Sequence, residues 1–230
     1  MVKAYLEPDE IEKLEMSAGN LRDRLLVRVL FHLGCRVSEA LGLEVEHLDF
    51  VQNTVTIQHL KARINVACPE CGARLSKRHI FCPGCGAKVQ ATIAKELEHR
   101  TMRTLPLDKT TLEMLHEYVS RGGPVEKNGR TLIFGINRGR AWQVVTSLAK
   151  KAGLPGIINM ETGKRHNVSP HQLRDAFAVH AVKTNDTGDG LRLLQTHLGH
   201  QNITTTMRYR KVSGDEQRNW YQKLWPEEKT

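Results

Sequence analysis

The sequence predicts a mainly α-helical domain that carries a small antiparallel β-sheet and a small cysteine-rich insert. Apolar residues recur at helical spacing in several segments, most clearly at residues 21–33, where they form one apolar face. Residues 54–57 are β-branched and alternate, as in a strand, and residues 101–107, far along the chain, are predicted to form a matching strand. Residues 68–89, which lie between them, are rich in Cys, Pro and Gly. We therefore expect a β-hairpin with an inserted module.

The individual elements follow from the same periodicities in chain order. A first helix begins at residues 6–10, where Pro and acidic residues suit the first helical turn. The second helix, residues 21–33, ends at Gly34. Further helices are predicted at residues 38–43, 110–119, 141–152, 171–183 and 191–198, with an extended piece at 132–134 and loops at 121–130 and 153–167.

The charge of the chain favours a polyanionic partner. Lys and Arg number 34 against 25 Asp and Glu, which gives a net charge of +9. The basic residues surround polar motifs instead of forming one tail, and neutralising phosphates releases their condensed counterions. The N-terminus has no secretory signal pattern, and no segment is long and apolar enough to span a bilayer. We expect a cytoplasmic, nucleoid-associated protein with no membrane partner.

Four of the five cysteines predict a metal site. Cys68 and Cys71 form one Cys-Pro-x-Cys-Gly knuckle, and Cys82 and Cys85 form a second. Four thiolates complete a tetrahedral Zn²⁺ shell and leave no position for a substrate, so we expect a structural zinc ribbon at residues 66–90. An iron–sulfur cluster or a redox pair fits the repeated knuckle less well. The fifth cysteine, Cys35, is expected to be a small packed thiol.

Three separated segments carry an unusual set of polar residues. They read GCRVSEAL at residues 34–41, HQLRDAFA at residues 171–178 and LGHQNITTTMRY at residues 198–209. Each residue alone has an ordinary explanation, because Arg36 can pair with Glu39 and Tyr209 can be a core aromatic. In order and spacing, however, the three segments resemble the tyrosine recombinase (phage integrase) family, with its GxRxSEAL, HxLRxxFA and LGHxxxxTTxxY patterns.

The resemblance implies that residues 1–230 form a tyrosine recombinase catalytic domain that cuts and rejoins DNA without a metal ion. Arg36 and Arg174 would hold the non-bridging phosphate oxygens and neutralise the charge of the transition state. His171 and His200 would add hydrogen bonds or transfer protons. Tyr209 would be the nucleophile that forms a 3′-phosphotyrosyl link.

One further role implied by the resemblance has two candidates. The family uses a lysine on a β-hairpin to protonate the leaving 5′-oxygen, and Lys61 aligns best with that position. Lys95, on the far side of the insert, is the competitor, because the insert replaces the usual short turn. The sequence also departs from the family at Asp175, which stands where a His often follows the second Arg. Glu39 is expected to orient Arg36.

The resemblance also implies partners. Double-stranded DNA is the expected substrate, and the amphipathic tail at residues 215–225 is expected to dock on a neighbouring protomer in a homotetramer. The tail can instead pack on its own domain. The motif pattern begins near residue 6, so we expect no N-terminal DNA-clamping domain of the kind that longer family members carry, and the chain is either naturally short or a fragment. Two other functions share these residues: a non-catalytic DNA-binding regulator on the same fold, and a DNA-relaxing enzyme similar to type IB topoisomerases.

Overall fold

A computed structural model gives the structure of the protein for most of the chain. It describes residues 4–59, 63–76, 79–88, 93–97, 101–158 and 162–212, together with residues 222 and 224. The chain forms two compact units: Met1–Ile57 with Arg103–Thr230, and Gln58–Met102.

Eight α-helices are present in the described ranges. They are α1 (Pro8–Met16), α2 (Leu21–His32), α3 (Val37–Leu41), α4 (Lys109–Ser120), α5 (Arg138–Lys151), α6 (Pro170–Thr184), α7 (Gly188–Leu198) and α8 (Ile203–Val212). Side-chain caps begin several of them; for example, the Asn20 side chain accepts a hydrogen bond from the Asp23 N–H at the start of α2 (2.9 Å). The mainly helical fold class is therefore confirmed.

The same described ranges contain ten short strands, which make up four small antiparallel sheets. The strands are β1 (Leu48–Asp49), β2 (Thr54–His59), β3 (Arg63–Ala67), β4 (Arg74–Leu75), β5 (Ile93–Leu97), β6 (Thr101–Pro106), β7 (Val125–Lys127), β8 (Arg130–Leu132), β9 (Ile157–Ile158) and β10 (Arg165–His166). Their orders are β1-β2-β6, β4-β3-β5, β7-β8 and β10-β9. The two predicted hairpin strands, β2 and β6, are neighbours in the first sheet.

Helix α2 is the centre of the first unit. It packs against α1, α4 and α6, and its residues Leu25, Leu26 and Leu30 are completely buried. Burial of these side chains is the main stabilising term for the helix, because each removes a large apolar surface from water. A second apolar cluster, which includes Leu191, Leu194 and Leu198, joins α6 to α7, and Tyr209 of α8 packs against it.

Some elements differ from the sequence prediction. Helix α8 was not predicted, because its first turn, Ile-Thr-Thr-Thr, is β-branched and has low helix propensity. Packing of α8 against α6 and α7 overrides that preference. The segment predicted as a loop at residues 153–167 contains the paired strands β9 and β10. Strands β3 and β5 were also not predicted.

The second unit is built around the sheet β4-β3-β5. Strand β3 pairs antiparallel with β5 from Arg63 opposite Leu97 to Ala67 opposite Ile93. The four cysteines of the two knuckles lie between β3 and β5 in the chain. The limits of a zinc ribbon at residues 66–90 stay a prediction. Among the helices of the described residues, none combines the length and the apolar character needed to cross a membrane.

Candidate active site and cysteine cluster

The buried carboxylate of Glu39, in α3, gathers three arginines. It accepts hydrogen bonds from Arg36 Nη1 (3.0 Å) and from Arg103 Nη2 (2.9 Å), and Arg174 Nη1 lies 3.9 Å away. Glu39 Oε2 also accepts a local hydrogen bond from the backbone N–H of Arg36 at the start of the helix (2.8 Å). Glu39 therefore orients Arg36 as expected, and the cluster keeps an excess of positive charge that suits a phosphodiester.

Backbone carbonyls from two distant turns hold Arg174. Its Nη1 donates to the carbonyl of Gly34 (2.7 Å), and its Nη2 donates to the carbonyl of Leu198 (2.9 Å). Gly34 has a φ of +53°, and a Cβ there would lie 2.2 Å from the ring of Phe177, so only glycine fits this turn. Burial and the nearby Arg36 lower the pKa of the Arg174 guanidinium, which nevertheless stays charged.

The hydrogen bonds of His200 define its tautomer. Its Nε2 lies 3.1 Å from Arg174 Nη2, and its Nδ1 lies 2.9 Å from the hydroxyl of Thr206. Because a guanidinium can only donate, Nε2 accepts and Nδ1 carries the proton. Burial, with the positive charges of Arg174 and Arg36, lowers the pKa of His200 to about 4. The imidazole is therefore neutral near pH 7.

Tyr209 reaches the site from α8. Its ring stacks on His200 with centroids 6.2 Å apart, and its hydroxyl donates a hydrogen bond to Asp175 Oδ1 (2.9 Å). Burial and the Asp175 carboxylate raise the pKa of the Tyr209 phenol. The candidate nucleophile thus lies in the same unit as Arg174 and His200.

The other predicted site residues are placed differently. His171 begins α6 with its side chain 71% exposed, and its Nε2 lies 3.5 Å from Asp175 Oδ2. Although Arg174 lies one turn further along the same helix, its side chain is only 3% exposed. Lys61 lies outside the described residues. Lys95 belongs to β5 of the second unit, where its backbone is opposite Asn65.

Two residues of the arrangement were not predicted from the sequence, and a third was given no role. Arg103 binds Glu39 in a two-pronged pair, and Thr206 holds His200. Asp175 was noted only as a departure from the family pattern. A signal was available for Thr206, because it is one of the two threonines in the LGHxxxxTTxxY pattern. Cys35 is buried as expected, and burial raises the pKa of its thiol to about 12.

The four knuckle cysteines converge in the second unit. The Sγ atoms of Cys68, Cys71, Cys82 and Cys85 all lie within 4.8 Å of one another. The sulfur atoms of Cys71 and Cys82 are 3.5 Å apart, and the backbone N–H of Gly84 donates to Cys82 Sγ (3.3 Å). This arrangement is one in which a metal ion can bind.

The two knuckles share one backbone geometry. In each, the N–H of the first cysteine, Cys68 or Cys82, donates to the carbonyl five residues on (2.9 Å in both). The glycine four residues on, Gly72 or Gly86, donates back to that cysteine's carbonyl (2.8 and 2.9 Å). These glycines have φ values of 72° and 74°, which side chains rarely adopt. The turn therefore explains the glycine that ends each knuckle.

Known proteins resemble this chain over most of its length. Tyrosine recombinase XerA of Pyrococcus horikoshii is 27% identical over 216 residues, which span 90% of this chain and 56% of the relative. Tyrosine recombinase XerC of Staphylococcus aureus is 25% identical over 230 residues, which span 98% of this chain and 62% of the relative. The chain therefore spans little more than half the length of the curated relatives it matches.

Solved structures show the same fold. The crystal structure of XerA recombinase matches with a TM-score of 0.64 at 20% identity, over 98% of this chain and 64% of that chain. XerH recombinase bound to palindromic difH substrate in a post-cleavage complex matches with a TM-score of 0.63 at 19% identity, over 96% and 53% of the two chains. The catalytic domain of bacteriophage HP1 integrase matches with a TM-score of 0.54 at 20% identity, over 96% and 94%.

The family-wide sequence profile of the phage integrase family matches residues 4–70 and 73–216. The matched ranges include all three motifs at residues 34–41, 171–178 and 198–209. With most of the chain covered by that profile and the fold shared with solved recombinases, the chain belongs to the phage integrase family.

Proposed function

We propose that the chain, over residues 1–230, is the catalytic domain of a site-specific DNA recombinase. It cuts and rejoins double-stranded DNA through a covalent 3′-phosphotyrosyl intermediate. The observation that carries this proposal is the position of Tyr209, whose ring stacks on His200 and whose hydroxyl donates to Asp175, the neighbour of Arg174 in α6. A tyrosine that only packs in a hydrophobic core does not require charged and polar neighbours of this kind.

The residues divide the chemistry among them. Arg36 and Arg174 bind the non-bridging oxygens of the scissile phosphate and balance the charge that grows in the transition state. His200, neutral and with its proton on Nδ1, keeps Arg174 Nη2 in place, and His171 stands at the solvent edge of the site. The Tyr209 oxygen attacks phosphorus and the bond to the 5′-oxygen breaks. Attack by a 5′-hydroxyl of another strand then releases Tyr209.

The leaving 5′-oxygen needs a proton. We assign this role to Lys61, with Lys95 as the alternative, on the family resemblance. Lys61→Ala and Lys95→Ala can be separated with a duplex that carries sulfur in place of the bridging 5′-oxygen, because a thiolate leaves without a proton. The variant of the true acid is slow on the normal duplex and regains the wild-type rate on the sulfur duplex, whereas the other variant shows no such difference.

We propose that the cysteine cluster binds one structural Zn²⁺. Four thiolates within reach of one point, with a backbone N–H directed at Cys82 Sγ, match the donor set of a closed tetrahedral zinc shell. The ion supplies folding energy to a small unit that can bury little apolar surface. Elemental analysis is expected to find one zinc per wild-type chain and none in the Cys71→Ser/Cys85→Ser variant. Equal zinc in both would contradict the assignment.

DNA is the proposed partner. The excess of positive charge supports it, as does the similarity to XerH, whose structure was determined on its difH substrate. We also propose a homotetramer on DNA, assembled through the tail at residues 215–225, whose aromatic residues Trp220, Tyr221 and Trp225 lie outside the described residues. Such a protein works where the DNA of the cell lies, in the cytoplasm with the nucleoid.

The central test traps the covalent intermediate. The wild-type chain is incubated with a pool of nicked duplexes of randomised sequence. After cleavage, the short strand beyond the cut diffuses away, and its loss prevents religation. The expected result is a protein–DNA adduct that survives denaturation and also forms without added Mg²⁺. Tyr209→Phe forms none, whereas the control Tyr5→Phe, which also loses only a hydroxyl, matches the wild type.

The same experiment separates the other functions. A chain that binds these duplexes but forms no adduct at any pH is a DNA-binding regulator, and the recombinase proposal fails. If the protein forms the adduct and, as a monomer, relaxes supercoiled plasmid without exchanging strands, it is a topoisomerase-like enzyme. Sequencing the trapped DNA gives the target site, and light scattering of the trapped complex gives the number of protomers.

A further inference from the structure

The candidate nucleophile, Tyr209, is hydrogen-bonded to a carboxylate, Asp175, that the family pattern does not require. The Tyr209 hydroxyl donates to Asp175 Oδ1 at 2.9 Å, across the junction between α8 and α6. Asp175 directly follows Arg174, so one helix turn carries both a phosphate-binding guanidinium and a carboxylate. A negative charge beside a phosphate site opposes DNA binding, so its presence there needs an explanation.

A tyrosine that attacks phosphorus must lose its phenolic proton. Burial raises the pKa of Tyr209, so few phenolates exist near neutral pH. The nearby cation Arg174 has no lone pair that could accept the proton. Both ring nitrogens of His200 are already engaged, with Arg174 and with Thr206. His171 contacts the other oxygen of the carboxylate, with its Nε2 3.5 Å from Asp175 Oδ2. Asp175 Oδ1, in contrast, accepts the phenolic hydrogen bond directly.

We propose that Asp175 is the catalytic base that removes the proton of Tyr209 during DNA cleavage. The inference rests on the proposed recombinase function and assigns one step within it. As the bond between the Tyr209 oxygen and phosphorus forms, the phenolic proton moves to Asp175 Oδ1. The bond between phosphorus and the 5′-oxygen breaks at the same time, and the 5′-oxygen takes its proton from the hairpin lysine. The reverse step returns the proton from Asp175 to Tyr209.

The charges around Asp175 suit a base that works repeatedly. His171 and Arg174 face it from α6, and Tyr209 and Arg208 face it from α8. Burial raises the pKa of the Asp175 carboxyl above its usual range, which makes the carboxylate a stronger base. Its second oxygen lies 3.5 Å from Nε2 of His171, whose side chain is open to solvent. A proton held by Asp175 therefore has a short route to water.

The test compares Asp175→Asn with the wild type in single-turnover adduct formation, on the nicked duplex whose sequence the wild-type chain traps. Asparagine keeps the size and a hydrogen-bond acceptor but cannot take the proton. We expect the rate to fall by about 10²- to 10⁴-fold near neutral pH, as for other general bases. Asp189→Asn, the same change at an exposed position of α7, is the matched control and keeps the wild-type rate.

The pH profile distinguishes a base from a structural contact. The wild-type rate rises with pH and reaches a plateau once Asp175 is ionised. For Asp175→Asn the rate continues to rise with pH, because hydroxide must generate the phenolate. Asp175→Glu, which keeps a carboxylate, retains the plateau. The deficit of Asp175→Asn persists on the duplex with a bridging sulfur, because the defect lies on the side of the nucleophile.

Three outcomes overturn the inference. The first is a wild-type rate for Asp175→Asn, and the second is a faster rate, which would make Asp175 a restraint on Tyr209. The third is a slow Asp175→Asn whose profile keeps the wild-type plateau, as expected if the contact only positions the ring. In all three cases the wild-type adduct still forms, so the recombinase proposal survives. Absence of any wild-type adduct is the separate result that removes the proposed function itself.

Discussion

Replacing Thr206 with valine should slow DNA cleavage without disturbing the fold. Valine has almost the shape of threonine, but a methyl group replaces the hydroxyl that accepts the Nδ1 proton of His200 (2.9 Å). Thr206 is completely buried, so water cannot easily take the place of the hydroxyl. His200 cannot simply move its proton to Nε2, because Nε2 would then present a hydrogen to the Nη2 donor of Arg174 at 3.1 Å.

The size of the effect follows from the unmade hydrogen bond. A buried donor left without a partner costs about 1–3 kcal/mol. His200 is only partly buried, so the lower half of that range applies. A loss of about 1–2 kcal/mol from the competent arrangement slows cleavage about 5- to 30-fold, because about 1.4 kcal/mol corresponds to a factor of ten.

The assay is single-turnover adduct formation on the trapped duplex, together with ¹⁵N chemical shifts of His200, which report the tautomer. Thr205→Val, at the exposed neighbouring position, is the control and should cleave like the wild type. If Thr206→Val cleaves as fast as Thr205→Val while Nδ1 keeps its proton, the hydroxyl does not orient His200 and the reasoning is wrong.

Two further predictions concern stability. Gly199 ends α7 with a φ of +65°, and a Cβ there would lie 2.7 Å from Arg103 Nη1. Gly199→Ala should therefore lower the free energy of unfolding, measured in urea, by about 1–2 kcal/mol. Gly188→Ala is the control, because a Cβ there meets nothing within 4 Å, and equal losses of stability in both variants would contradict the predicted strain at Gly199. The pKa of His200 falls from 6.5 to about 4 on folding, so the unfolded chain binds more protons between these values and the free energy of unfolding should rise with pH across this window. His200→Gln should show a smaller rise in urea titrations, and an unchanged slope would argue against burial of a neutral imidazole.

Local patterns in the sequence predicted most of the fold. The apolar spacing of residues 21–33 located α2, and the composition of residues 54–57 and 101–107 identified two strands that pair in one sheet. The two cysteine knuckles were also predictable from local sequence, because the three-residue spacing of the cysteines and the glycine that follows are enough to define each turn. Helix α8 was missed because its β-branched first turn is helical only through packing on α6 and α7.

The sequence by itself determined which residue types are available for the proposed phosphoryl transfer, because Arg36, Arg174 and Tyr209 lie in the three motifs. The tertiary structure alone decided their partners. Arg103 is 64 residues from Glu39 in the chain and Tyr209 is 34 from Asp175, and no periodicity links positions so far apart. Whether such groups meet depends on how α3, α6 and α8 pack, and the charge and proton state of each group follow from that packing.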